Sequence, residues 1–408
     1  MPFKSLGLSD QLVRAVLAAG YAAPTEIQSR AIPPALAGRD IIGRAQTGTG
    51  KTAAFVLPML YRLCAHQGAN GARRFVRALI VTPTRELALQ NEQFSIDYGK
   101  FTQLKSLSVY GGSSMDNQIR SLQRGVDIVI ATPGRLLDHM RRRWIDLSRV
   151  EFFVLDEADR LFDMGFIEDV RRIVSALPKN RQTMLFSATM PEGVKRLAAN
   201  IMRNPEVIEV GEARNPVETV TQHICQIQRD KKIDLLLRVL QDPEMQCVLV
   251  FSRTRHGADR ITRRLIHAGV RAIALHADRT QKERLRALEG FKRGQYQVMV
   301  ATDIAARGID VEGISHVINF DVPMYAEDYI HRIGRTGRAE ATGIAITFVS
   351  FDEEHYLRRI EEFIGRKFDL ESHPDFPCSF RVAAPKPYGV LVSSHSRPGV
   401  RHFGRRRR

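Results

Sequence analysis

Cysteine is scarce in this sequence. The four present, Cys64, Cys225, Cys247 and Cys378, have no paired spacing. That excludes a disulfide framework and a cysteine-ligated zinc site, and it fits reduced thiols. Long apolar runs are also missing. None exceeds strand length, so no transmembrane helix and no membrane partner are expected. The opening Met1-Pro-Phe-Lys-Ser5 lacks a charged region followed by an apolar one, so a cytoplasmic rather than secreted protein is expected. Acidic residues fall short as well: 45 Asp and Glu stand against 61 Lys and Arg, a formal charge of +16. An excess of that size points to a polyanionic partner.

Two stretches carry chemistry. Ala45-Gln-Thr-Gly-Thr-Gly-Lys-Thr52 reads as a phosphate-binding loop. Thr47, Gly48, Thr49 and Gly50 bring backbone N–H groups around phosphates, Lys51 reaches the terminal ones, and the Thr52 hydroxyl suits Mg²⁺. The first position is Ala45 where that pattern has glycine, which is tolerated if its φ stays negative. The second stretch, Val154-Leu-Asp-Glu-Ala-Asp159, follows the apolar run Phe152-Phe-Val-Leu155 and so sits at the C-terminal end of a buried parallel strand. There Asp156 is placed to hold Mg²⁺ through its water shell, and Glu157 to orient and polarise an attacking water. An Asp-Glu pair alone is usually a solvated turn. Paired with a phosphate loop, and each element after a strand, it points to nucleoside triphosphate hydrolysis.

The chain's length accommodates two or three domains. Strand-like runs near residues 40–42, 78–81, 107–109, 127–130, 152–155 and 183–186 lead mostly into segments of helical spacing. This is the pattern of a parallel sheet covered on both faces. Periodicity lapses from Pro205 to Pro216 and restarts at 247–251, 271–275, 298–301, 316–320 and 343–348 without a second phosphate loop. The organisation expected is therefore α/β, with a first domain over 1–208, a linker over 209–218, a second domain over 219–368 and a disordered basic tail over 369–408. Polar clusters follow the strands regularly: Pro83-Thr-Arg-Glu-Leu87, Thr132-Pro-Gly-Arg135, Ser187-Ala-Thr189, Ser252-Arg-Thr254 and Thr302-Asp-Ile-Ala-Ala-Arg-Gly-Ile-Asp310. Singly each is a turn or a helix cap. Jointly they line the ligand crevice of an open parallel sheet.

Over residues 1 to about 368 these motifs, in this order, resemble the DEAD-box RNA helicases. The compact core and short basic tail are most similar to the bacterial RhlE-type subgroup. The resemblance implies two tandem RecA-like domains that hydrolyse ATP with Mg²⁺ and couple it to RNA binding and local duplex unwinding or remodelling of RNA–protein assemblies. An ATP-gated RNA clamp with little unwinding is the alternative. Partners in ribonucleoprotein assembly or RNA decay belong to the same picture. Gly20-Tyr-Ala-Ala-Pro-Thr-Glu-Ile-Gln28, with Phe3 upstream, is similar to the family's adenine-reading motif. Its Gln28 amide would pair with the adenine edge and Tyr21 would offer a stacking face. In His331-Arg-Ile-Gly-Arg-Thr-Gly-Arg338, the resemblance assigns Arg335 and Arg338 to the γ-phosphate and sets His331 near the water. Asp310 is assigned to the ribose, and Ser187, Thr189 and Arg307 to coupling between the domains. RNA contacts are implied at Pro83, Thr84, Arg85, Gly112, Thr132, Gly134 and Arg135, and at Thr254, Arg284 and Thr302. Ala277 departs from the family's glycine after His276. The run Arg141-Arg-Arg143-Trp144 reads as the solvated end of a helix.

Overall fold

The computed structural model describes residues 2–45, 49–65, 74–210, 220–306, 311, 313–337 and 343–378. The first half builds one sheet from β1 (Ile41–Arg44), β2 (Ala78–Val81), β3 (Ser106–Val109), β4 (Ile128–Ala131), β5 (Phe152–Asp156), β6 (Gln182–Ser187) and β7 (Glu206–Glu209). Its order is β3-β4-β2-β5-β6-β1-β7, and every pairing is parallel. The second half uses β8 (Val220–Gln226), β9 (Val248–Phe251), β10 (Ala272–Leu275), β11 (Val298–Ala301), β12 (His316–Asn319), β13 (Gly343–Val349) and β14 (Leu370–Ser372). Again all pairings are parallel, in the order β10-β11-β9-β12-β13-β8-β14. Each strand takes the place held in the first sheet by the strand seven earlier. One architecture is used twice.

Helices cover both faces of each sheet, which is why the central strands are apolar without alternation. In β5 every residue is buried. Phe152 and Val154 enter one core layer, Phe153 and Leu155 the other. In β9, Leu249 and Phe251 face one layer, Val248 and Val250 the opposite one.

Three strands depart from expectation. β7 lies in the stretch read as the start of a linker; it pairs with β1 through Ile41↔Glu206 to Arg44↔Glu209. β8 carries Thr221, Gln222 and His223, too polar for an apolar run, yet pairs with β13 along its whole length. β14 lies in the expected tail. It pairs with β8, Phe376 packs against the second-half core, and Cys378 is buried. The second domain therefore reaches at least Cys378, ten residues beyond the expected boundary at 368. Most of the 209–218 linker, and the basic residues from Arg381 to Arg408, lie outside the described residues.

Candidate active site and nucleic-acid surface

Strand β5 ends on Asp156, and the next residue turns sharply. Glu157 has φ 53° and ψ 56°, the left-handed region. For a residue with a Cβ this costs about 1–2 kcal/mol. The turn starts the Ala158–Asp163 helix at once. All three carboxylates of the motif, Asp156, Glu157 and Asp159, are buried, as are Lys51 and Arg160. Lys51 Nζ donates to the Ala45 carbonyl at 2.8 Å. Arg160 Nη1 donates to Glu157 Oε2 at 2.5 Å. Asn91, which sequence reasoning missed, donates from Nδ2 to Asp156 Oδ2 at 2.9 Å, and its Oδ1 lies 3.5 Å from Thr52 Oγ1. Burial, then the charge of Glu157, pushes the Asp156 carboxyl above its ordinary range, against Lys51 and Asn91. A buried carboxylate left under-compensated beside a threonine hydroxyl is a hard-oxygen donor set, and it fits a divalent cation such as Mg²⁺.

Asp159 serves a different task. Its backbone N–H donates to Ser187 Oγ at 3.0 Å. Its Oδ2 accepts from Ala188 N at 3.1 Å, Thr189 N at 2.8 Å and Thr189 Oγ1 at 3.0 Å. Burial alone would raise this carboxyl. Lys51, the Thr189 N–H, Arg160 and Ser187 together outweigh burial and hold it below the ordinary carboxylate range. The end of β6 is thus pinned to the helix that carries the acidic motif.

The stretch similar to the adenine-reading motif forms a helix cap. Thr25 and Gln28 form a capping box on the Glu26–Leu36 helix, with Gln28 Oε1 accepting from Thr25 N at 3.0 Å. Gln28 Nε2 donates to the Gly50 carbonyl at 3.1 Å, so the side chain also touches the phosphate loop. Tyr21 is 41% exposed and meets Tyr98 edge-on. Phe3 corrects the expectation of a nucleotide contact. It is 1% exposed, packed into the first-half core, and offers no face for stacking.

From the second half, His331 stands on the Ala326–Ile333 helix and Arg335 just after it, both lining a small cleft with Phe251 and Asp303. Burial lowers the His331 pKa, as does Arg160, against the pull of Asp159. Those two partners belong to the first half. Arg332, given no role from sequence, is the buried anchor. It grips Asp303 with Nε at 2.6 Å and Nη2 at 2.8 Å, and donates Nη1 to the Asp321 carbonyl at 2.7 Å. Thr47, Gly48, Arg307, Asp310 and Arg338 lie outside the described residues.

The expected RNA positions fall into matched pairs. Thr84 follows β2 and caps its helix by accepting from Leu87 N at 3.3 Å. Thr254, after the equivalent β9, caps by accepting from Gly257 N at 3.0 Å. Thr132 N donates to Val109 O, and its counterpart Thr302 donates to Leu275 O. Pro83 and Thr84 are both buried. Gly112 has φ 84°, and a side chain there would collide with the Arg85 guanidinium. Nothing crowds Gly134. Arg135 Nη1 donates to the Ser113 carbonyl and to Gln118 Oε1, both at 3.2 Å. Gln118, buried and unnoticed in the sequence, also donates to the Tyr110 carbonyl at 3.1 Å and Ser113 Oγ at 2.6 Å. It ties the Gly111-Gly112 turn to the Thr132–Arg135 segment. Arg284 is engaged elsewhere: it forms a 2.8 Å ion pair with Glu86 of the first half, both buried, and Gln281 adds a 3.3 Å hydrogen bond to the same carboxylate. Arg141 to Arg143 are exposed at the end of the Pro133–Arg141 helix, as expected.

The DEAD/DEAH box helicase pattern matches residues 25–197, and the helicase conserved C-terminal domain matches residues 231–340. The DEAD-box ATP-dependent RNA helicase CshA of Bacillus cereus is 43% identical over 372 residues, covering 91% of this chain and 70% of that protein. This chain belongs to the DEAD-box ATP-dependent RNA helicase family. ATP-dependent RNA helicase CshA of Listeria monocytogenes is likewise 43% identical, over 390 residues, covering 94% and 74%. Among solved DEAD-box relatives, S. cerevisiae Dbp5 bound to RNA and ADP BeF3 is 32% identical with a TM-score of 0.76, covering 91% of this chain and 95% of that one. Mss116p bound to ssRNA and AMP-PNP is 28% identical with a TM-score of 0.78, covering 91% and 78%. The two parallel sheets are the tandem RecA-like domains of DEAD-box helicases, and the enzyme class is an ATP hydrolase. No described helix is long and apolar enough to cross a membrane.

Proposed function

We propose that this DEAD-box helicase closes its two halves around ATP and single-stranded RNA, and that hydrolysis then releases the RNA after local strand separation. The observation that carries this reading is the polar core shared between halves. Lys51, Asp156, Glu157 and Asp159 lie in the first, His331 senses Asp159 and Arg160 from the second, and Glu86 pairs with Arg284 across the divide. Lys51 moves from the Ala45 carbonyl to the phosphates. Glu157, aimed by its left-handed backbone, polarises the attacking water. Mg²⁺, held by Thr52 and Asp156 largely through water, supplies charge neutralisation at the phosphates when bound. Arg335 and Arg338 stabilise the γ-phosphate, Asp310 meets the ribose, and Arg307 serves the coupling between the halves. Thr49, Gly50, Thr47 and Gly48 cradle the phosphates, while Tyr21 and Gln28 meet the adenine. To do so Gln28 gives up its bonds to Thr25 and Gly50.

Because ATP and RNA each touch both halves, each favours closure and so the binding of the other. The RNA surface is Thr84, Arg85, Gly112, Thr132, Gly134 and Arg135 with Thr254 and Thr302; Pro83 and Arg284 support it from beneath. The motif resemblance is read as placing it in the RhlE-type subgroup, acting in the cytoplasm on RNA–protein assemblies or with RNA-decay proteins. The buried Glu86–Arg284 pair favours a second reading, a long-lived closed clamp that barely unwinds. Strand displacement on a short RNA duplex decides between them. ATP-driven separation that outpaces spontaneous melting supports the helicase; stable RNA retention without separation supports the clamp.

A further inference from the structure

The second half carries a cleft of about 600 Å³ between the Arg255–His267 and Gln281–Lys292 helices, floored by β10. Among the described residues β10 pairs with β11 alone, so its outer edge is free to hydrogen-bond another strand. The floor and sides are apolar, from Ala272, Ile273, Ala274, Ala287 and Tyr296, and Ile266 stands 56% exposed beside them. Thr262 Oγ1 lines the same space, buried, with no hydrogen-bond partner among the described residues. The charges divide sharply. Asp259 accepts from His276 at 2.9 Å and Arg279 at 2.6 Å. Glu283 closes its own helix cap, accepting from Thr280 N at 2.8 Å and Thr280 Oγ1 at 2.7 Å. Both acids in the cleft are therefore engaged. Arg263 and Arg286, exposed on opposite walls, have no carboxylate partner among the described residues.

We propose that this cleft docks an extended acidic segment of a partner protein, with apolar side chains at alternate positions, which adds to β10 as a further strand. Strand addition takes affinity from the main chain and specificity from side chains on alternating faces. With its apolar residues on the face of the Arg255–His267 helix, the segment meets Ile266, its acidic residues on the other face meet Arg286, and Arg263 adds attraction for the acidic segment as a whole. The chain's own end is a poor occupant, because residues 379–408 contain eight Lys and Arg and no acid. RNA phosphates would gain from the two arginines but nothing from the apolar floor. This inference is independent of the ATP and RNA assignments above.

The test uses the full chain and a fluorescein-labelled decapeptide of alternating Glu and Val, followed by fluorescence anisotropy. A peptide of the same composition in two blocks, five Glu then five Val, is the control. The alternating peptide should bind at least about tenfold more tightly than the block peptide, and binding should weaken with salt, as surface charge pairing does. Arg263→Glu with Arg286→Glu should weaken it tenfold or more, and Ile266→Asp several-fold, with RNA-stimulated ATPase retained. All three side chains are exposed, so the melting temperature serves as a folding control. Three results would overturn the proposal. One is equal binding of both peptides, or binding that the variants do not change. Another is loss of single-stranded RNA affinity, rather than peptide affinity, in the arginine variant. The third is a tenfold gain in peptide affinity when the chain ends at Cys378, which would make the basic tail the resident.

Discussion

Glu157 joins two demands that conflict elsewhere. In the proposed mechanism it must present a carboxylate to water, and in the fold it must turn a strand into a helix within one residue. Its left-handed backbone does the second and thereby sets the first. Replacing it with glutamine keeps the turn and the hydrogen bonding but removes the charge. ATP turnover should fall by about two orders of magnitude while ATP-dependent RNA retention persists. Steady-state hydrolysis and filter binding on the purified variant check both halves of the statement. His139 makes a second residue-scale case. It is buried, its Nε2 lies 2.9 Å from Gln118 Oε1, and its Nδ1 has no partner among the described residues. Burial, then Arg135, lowers its pKa from the ordinary 6.5. The unfolded chain therefore takes up a proton that the folded one resists, and stability should fall as pH drops below about 6.5. His316 and His331 are lowered by burial in the same direction. Melting curves between pH 7.5 and 5.5 should show the decline, and His139→Gln should flatten it. An unchanged slope would remove His139 from the account.

The sequence was most legible where strands are buried on both faces. β2 and β11 have the boundaries expected from their apolar runs, and β5 gained only Asp156. The strands that escaped notice sit toward one margin of each sheet, where burial no longer dictates composition. β7 and β14 are short and bear Glu206, Glu209 and Glu371; β8 alternates polar side chains. The candidate site could be proposed from sequence where its chemistry would need a fixed residue type, at Lys51, Thr52, Asp156 and Glu157. It was illegible at Asn91, Gln118 and Arg332, because a buried polar side chain that positions another has no spacing rule of its own. Phe3 misled for a related reason: an aromatic ring reads alike whether it packs or stacks. The corrected domain end carries its own prediction. Ending the chain at Phe368 removes β14, the packed Phe376 and the Arg238–Asp375 pair, and should lower the melting temperature by several degrees. Ending it at Cys378 should leave the melt unchanged while flattening the salt dependence of RNA-stimulated ATPase, by roughly 0.7 in log–log slope for each phosphate the basic tail neutralises.

At the scale of the whole molecule, Glu86 and Arg284 couple the two halves directly. Both are buried, so losing either partner strands the other's charge. Arg284→Glu should therefore disfavour closure and raise the RNA concentration for half-maximal ATPase by about tenfold or more, whereas adding Glu86→Arg should recover much of the loss. A double-mutant cycle on that RNA concentration measures the coupling. Two independent losses, with no recovery in the swap, would mean that the pair does not hold the halves together.

The doubled strand order has a further meaning for the ligand. A nucleic-acid backbone is a repeating polymer with a direction. On the RNA surface proposed above, the same strand-end threonines meet it twice, Thr84 then Thr254 and Thr132 then Thr302, as in a gauge with two matching jaws. Each jaw grips sugar and phosphate without asking which base is attached. Within each jaw all strands run one way, so the gauge has a front and a back. Only when the jaws meet at Glu86 and Arg284 is the distance between them defined, and only then can a single strand satisfy both. A rigid duplex, whose backbone cannot adjust to that distance, is then the poorer fit, and sequence plays no part in the choice.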